Sequence, residues 1–168
     1  MDIKTKNIKF SIIKNKHLNW KYLEKITDIE NVIDIGANEG TPQLVYNFPF
    51  SNYYYFEPLK KCNKKLIEFN KKNNISNHQI FNVALSNKKG ESSFNEVLLE
   101  NTSHSSSLLE FTSYYDGTKK KEETVKIKVA LDKLSNFKKK IDFNNSFIKI
   151  DTQGNEFDVL KGIDDEIF

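Results

Sequence analysis

The stretch NVIDIGANEGTPQ, residues 31–43, constrains this chain more than any other. A β-branched apolar run ending at Ile35 breaks into a loop bounded by Gly36 and Gly40, and Pro42 stands where a helix can begin. Strand, glycine loop and helix form the opening unit of an open α/β sheet. Further runs repeat the alternation. NYYYFEP (52–58) reads as a second strand stopped by Pro58, HQIFNVAL (78–85) as a third, and SFIKID (146–151) as another buried strand. Between them, KKCNKKLIEFNKKNN (60–74) sets Cys62, Leu66, Ile67 and Phe69 on the apolar side of a lysine-coated helix. WKYLEKITD (20–28) reads as a helix before the first strand. NEFDVLKGI (155–163) reads as one with Phe157, Leu160 and Val159 inward. This order predicts a mostly parallel sheet. The middle differs: KKGESSFNEVLLENTSHSSSLLEF (88–111) and ETVKIKVALDKL (123–134) read as short strands, the second with one wet face. An antiparallel β insertion or edge is expected around 88–130.

The 168 residues suffice for one domain with a real core. The expected layout is a single domain over 1–168, with a helical lead-in over 1–29 and a cofactor-binding core over 30–163. No apolar run approaches the ~20 residues of a membrane span, and the first residues lack a secretory pattern. A cytoplasmic location is the default expectation. The single cysteine, Cys62, rules out an internal disulfide and reads as a core residue. All 26 basic residues are lysine, scattered rather than clustered, which argues against a nucleic-acid partner. His17, His78 and His104 show no metal-ligand spacing, so no metal is expected.

Ligands of open α/β sheets sit beyond the carboxyl ends of the strands. A dinucleotide site uses G-x-G-x-x-G, whereas this loop carries only two glycines. The acids Asp34 and Glu39 would repel a pyrophosphate. They suit a cationic or zwitterionic ligand, and S-adenosylmethionine, which has a sulfonium and an ammonium but no phosphate, fits better. Glu57 ends the second strand about twenty residues on, where a carboxylate can accept both hydroxyl hydrogens of a ribose. Taken alone, Glu57 also fits an exposed strand-end acid. A nicotinamide-dependent oxidoreductase is disfavoured by the missing third glycine.

The ordered set VIDIGANEG, YFEP, NVALSNKKGE, SSSL, ALDKL and IKIDTQGNEFDVLKG resembles the FkbM-type methyltransferases over residues 30–163. That family is a branch of the S-adenosylmethionine-dependent enzymes with a class I, Rossmann-like α/β fold. The resemblance implies a cofactor loop of Asp34, Gly36, Ala37, Asn38 and Gly40. It implies a ribose carboxylate at Glu57, beside Pro58, and an adenine edge at Asn82, Val83 and Ala84. It also implies a serine-rich loop, 105–108, near the active site.

An alcohol acceptor has to lose a proton, and a nearby carboxylate can take it. Asp151 is the first candidate for base or acceptor orientation; capping the next turn is an equal alternative. Lys149 lies on the same strand face and can pair with Asp151, and His104 is the one histidine to test as acid or base. Glu156 fits a plain helix-dipole role. The implied activity is methylation of a hydroxyl on a sugar, glycan or natural-product intermediate. Two departures support an alternative, a catalytically impaired or truncated module that binds the cofactor or a partner. Gln153 stands where the family usually has glutamate, and the C-terminus looks short for the fold.

Overall fold

The computed structural model describes residues 20–98, 106–109 and 124–164. A 3-10 helix, Trp20–Lys25, stands where the lead-in helix is expected. Strand β1 (Asn31–Ile35) runs through the glycine loop into a short helix, α1 (Pro42–Asn47). Strand β2 (Asn52–Phe56), helix α2 (Lys60–Lys72) and strand β3 (His78–Phe81) follow. Next come β4 (Ala84–Leu85), β5 (Gly90–Val97) and β6 (Thr124–Asp132), then β7 (Ser146–Ile150) and α3 (Glu156–Lys161). Strands β3, β2, β1 and β7 lie side by side in that order, each pair parallel. This is the parallel core of a Rossmann-like α/β fold. Strands β5 and β6 pair antiparallel from Gly90 opposite Leu131 to Val97 opposite Thr124. They form a separate sheet, in the order β4, β6, β5, rather than an edge of the first.

Strand parity explains the packing, since successive side chains point to opposite faces. Ile33 and Ile35 of β1 meet Phe56, Leu134, Phe137 and Val159 on one face. Val32 meets Leu44, Tyr53, Tyr55 and Leu66 on the other. All five residues of β1 are buried, as a central parallel strand requires. A third cluster, with Leu59, Cys62, Phe94 and Leu131, fastens the first turn of α2 to the second sheet. The buried tyrosines place their hydroxyls deliberately. Tyr53 donates to the Phe48 carbonyl at 3.0 Å, and Tyr55 to Asn70 Oδ1 at 2.7 Å. Burial, and then the charge of Asp34, push both phenols above their ordinary range. Tyr55→Phe is expected to cost about 1–2 kcal/mol, because Asn70 stays buried and loses its donor. The shift of the urea-unfolding midpoint at constant slope measures it.

Three expectations need correction. HQIFNVAL is not one strand. The Val83 N–H donates to the Phe81 carbonyl at 2.9 Å, closing a three-residue turn. The Asn82 amide reaches back to the carbonyls of Glu57 at 3.1 Å and Pro58 at 2.6 Å. The chain therefore leaves the first sheet after Phe81 and starts the second at Ala84. On α2 the buried stripe is Cys62, Leu66 and partly Phe69, while Ile67 points outward at 57% exposure. On α3 only Val159 is fully buried, and Phe157 is 68% exposed. Its ring lies under the Lys161 ammonium instead, 4.2 Å from it.

Candidate functional site

The carboxyl ends of β1, β2 and β7 open into a cleft, the place where open α/β sheets bind their ligands. Gly36, Asn38, Glu57 and Pro58 line one side, and Asp151 and Gln153 another. Phe94 of β5 and Leu108 add an apolar wall from the second sheet and the short segment beside it.

Glu57 lines the cleft yet is only 5% exposed. Its Oε2 accepts the Asn38 N–H and its Oε1 the Leu59 N–H, each at 2.9 Å. A carboxylate has about four acceptor positions, so both oxygens keep capacity for a ligand. Burial is the chief influence on its proton, pushing the carboxyl up to about 7. The two backbone hydrogen bonds and Lys149 oppose that rise, and Asp34 adds to it.

The glycine loop is held from below. At Gly36, with φ +72°, a Cβ would stand 1.9 Å from the Asp151 carbonyl oxygen, so β7 and the loop meet only because that atom is missing. Gly40 serves packing, since a Cβ there would lie 2.6–2.8 Å from the Phe69 ring. Ala37 is buried in the core with Val32 and Leu44. Asp34 is completely buried beneath the loop. The Lys149 ammonium lies 2.9 Å from its Oδ1, and the Thr41 hydroxyl donates to its Oδ2 at 2.8 Å. Lys149 also donates to the Gly36 carbonyl at 3.0 Å and stands 4.0 Å from Asp151 Oδ2. Its chief partner is therefore Asp34. Glu39 is paired with Lys65 of α2. Both acids of the loop are thus engaged by lysines, and the carboxylates that line the cleft are Glu57 and Asp151. The charge argument against a phosphate ligand passes to that pair.

Asp151 ends the strand with a half-exposed carboxylate. Gln153 donates from Nε2 to its Oδ1 at 2.8 Å, from a backbone at φ +55° that few non-glycine residues adopt. The Gln153 carbonyl accepts the Ser107 hydroxyl at 2.8 Å. Ser107 in turn exchanges both backbone hydrogen bonds with Asn95 of β5, at 2.8 and 3.1 Å. Asn95 and Ser107, both buried, therefore tie the second sheet to the Asp151 turn. Nothing in local sequence marks Asn95 or Phe94 for this position, because the contacts cross between sheets. Glu156 does more than sit at a helix start. Its carboxylate accepts the Thr152 N–H at 2.8 Å and the Gly154 N–H at 3.0 Å. Partial burial works against its charge, but these bonds outweigh it and hold the carboxyl below its ordinary value.

Among the residues singled out in the sequence, Gly36, Asn38, Glu57, Pro58, Ala84 and Asp151 come together at the cleft. Asp34 and Lys149 lie under its floor. Val83 is in the first core, and the Asn82 amide is turned onto the backbone beside Glu57. His104 lies outside the described residues. Among the described residues no three His, Cys, Asp or Glu side chains are grouped to hold a metal ion.

A family model for the methyltransferase FkbM domain matches residues 34–168. No curated protein and no solved structure matches the chain. The family match takes in the glycine loop, Glu57, the serine segment and the Asp151 turn, which are the parts that build the cleft. The chain belongs to the FkbM methyltransferase family.

Proposed function

We propose that this chain is an S-adenosylmethionine-dependent methyltransferase acting on a hydroxyl of a sugar, glycan or natural-product intermediate, as a single domain in the cytoplasm. The observation that carries the reading is Glu57. It is a buried carboxylate on the cleft wall, with acceptor positions left after two backbone N–H groups are bound. Ribose hydroxyls are neutral donors that match those positions. The Gly36–Asn38 backbone suits the aminoacyl end, and Pro58 and Ala84, with Asn82 and Val83 behind them, suit the adenine.

S-adenosylmethionine supplies a methyl group activated by a positively charged sulfur. The protein's share is positioning and proton transfer. Asp151 is the residue placed to receive the acceptor's hydroxyl proton or to orient that hydroxyl. Gln153 fixes Asp151 Oδ1, a task that needs an amide donor and no charge. Lys149 acts through Asp34 and the Gly36 carbonyl, and so is a positioning residue. The absence among the described residues of any helix long and apolar enough to cross a membrane is compatible with this reading.

Thermal unfolding with and without S-adenosylmethionine tests it. A ligand at ~100 times its dissociation constant adds about 2.7 kcal/mol, roughly 5–10 °C in melting temperature for a chain of this size. The expected result is a shift of that size, lost in Glu57→Ala. No shift in a folded sample would remove the cofactor from the proposal. Gln153 in place of the family's glutamate favours one second reading, a cofactor-binding module without turnover. A thermal shift followed by no methyl transfer to any hydroxyl acceptor would select it.

A further inference from the structure

The Asp151 carboxylate is half-exposed, and the Gln153 amide meets its Oδ1. A single bond at the surface aims a carboxylate only as firmly as the turn that carries its donor is held. That turn is pinned at one peptide plane. The Gln153 carbonyl and the Gly154 N–H are opposite ends of the same planar unit. Glu156, on α3, accepts the Gly154 N–H at 3.0 Å, and Ser107 donates to the Gln153 carbonyl at 2.8 Å. The plane therefore cannot rotate without breaking one of the two bonds. The constraint falls on Gln153, whose φ of +55° is left-handed. A residue with a Cβ keeps that backbone only where its surroundings impose it.

The direction of the Ser107 bond follows from its hydroxyl having one proton. The Leu109 N–H already points at Ser107 Oγ, at 3.1 Å, so the hydroxyl proton is left for Gln153. The segment that carries Ser107 is itself fastened to β5. Asn95 pairs with Ser107 through the backbone and donates from its side chain to the Leu109 carbonyl at 2.8 Å. Alternation of side chains then divides the segment. Ser106 and Leu108 line the cleft. Ser107 and Leu109 meet the turn, where a Cβ on Gly154 would stand 2.7 Å from Leu109 Cδ1. The wall an acceptor lies against and the latch on the Asp151 turn are one piece of chain.

We propose that Ser107 is a positioning residue for methyl transfer, resting on the assignment of Asp151 to the acceptor hydroxyl. Ser107 holds the Gln153 peptide, Gln153 aims Asp151, and the second sheet thereby sets the pose of a group that lies beyond its own strands. Glu57 and the Gly36–Asn38 backbone are held by other bonds, so the latch acts on the acceptor side and leaves cofactor affinity alone.

Carboxyl-carbon NMR of the whole chain tests this, comparing the unaltered protein with Ser107→Ala and Ser107→Cys. The Asp151 carboxyl resonance is expected to move in Ser107→Ala and to move less in Ser107→Cys, which keeps a weak donor. The Glu57 resonance and the calorimetric dissociation constant of the demethylated cofactor are expected to stay as they are. A merely structural contact would lower the melting temperature without singling out Asp151. An Asp151 resonance unmoved in Ser107→Ala overturns the inference. So does a Glu57 resonance that moves as far, or a cofactor affinity that weakens with it. Should Ser107→Ala fail to fold, the unaltered chain decides. A Ser107 hydroxyl proton slow in exchange and scalar-coupled to the Gln153 carbonyl carbon is then required, and one in fast exchange overturns the inference. An unaltered chain that does not bind the demethylated cofactor removes methyl transfer and this inference together. An unmoved Asp151 in a chain that does bind it removes the role of Ser107 alone.

Discussion

Replacing Lys149 by methionine is expected to lower the free energy of unfolding by about 3–5 kcal/mol. Asp34 sets the size of the effect. Its side chain is completely buried, and the register of β1 with β7 puts it directly opposite Lys149. With the ammonium gone, the carboxylate keeps one neutral donor, the Thr41 hydroxyl. The Gly36 carbonyl loses its donor as well. Methionine retains most of the apolar stem, so a cavity adds little. An exposed ion pair would be worth at most ~1 kcal/mol, and that contrast makes the measurement decisive. For a chain of this length the loss amounts to roughly 6–20 °C in melting temperature. Urea unfolding followed by circular dichroism gives the free energy. Asp34→Asn combined with Lys149→Met is expected to recover more than half of it, because a neutral amide needs no counter-charge. A loss under ~1 kcal/mol would mean that water reaches Asp34 and the pair behaves like a surface one.

The parts of this molecule legible in its sequence are those whose cause is local. The apolar run before Gly36, the stop at Pro58 and the amphipathic spacing of Cys62, Leu66 and Phe69 are each written within a few residues, and each element forms there. Glu57 is found by counting along an open α/β sheet, and it lines the cleft. What stayed hidden depends on partners far along the chain. The break at Asn82 is caused by its amide bonding to carbonyls 24 and 25 residues earlier. Lys149 turns to Asp34 rather than Asp151 because of strand register, which local sequence does not specify. Phe94 reaches the cleft only through the docking of the second sheet on α2. On α3, three apolar residues compete for one buried position in a six-residue helix, and Val159 takes it.

The affinity for S-adenosylmethionine is expected to weaken about tenfold between about pH 8 and about pH 6. Burial fixes that sign. The Glu57 carboxyl, pushed from its ordinary 4.5 up to about 7, is largely protonated at the lower pH, while the ribose hydroxyls of the proposed cofactor would donate to its ionised form. Binding then has to expel a proton first. The unliganded protein is expected to behave in the opposite sense. Between 4.5 and about 7 the folded chain holds a proton that the unfolded chain has released. Glu57 therefore contributes stability that is fully present below 4.5 and is lost as pH rises through about 7, on the order of 3 kcal/mol in all. Melting temperature without ligand should fall across that window while the shift produced by ligand grows. A carboxylate without a part in binding would not link the two trends. Glu57→Ala is expected to abolish both, and to weaken binding more than a hundredfold. Each hydrogen bond to a charged group is worth about 1.5–3 kcal/mol, and two are lost. Calorimetric titration at the two pH values, with the demethylated cofactor as a stable probe, makes the comparison directly. Equal dissociation constants would sink the ribose contact and leave Glu57 as a strut for the N–H groups of Asn38 and Leu59.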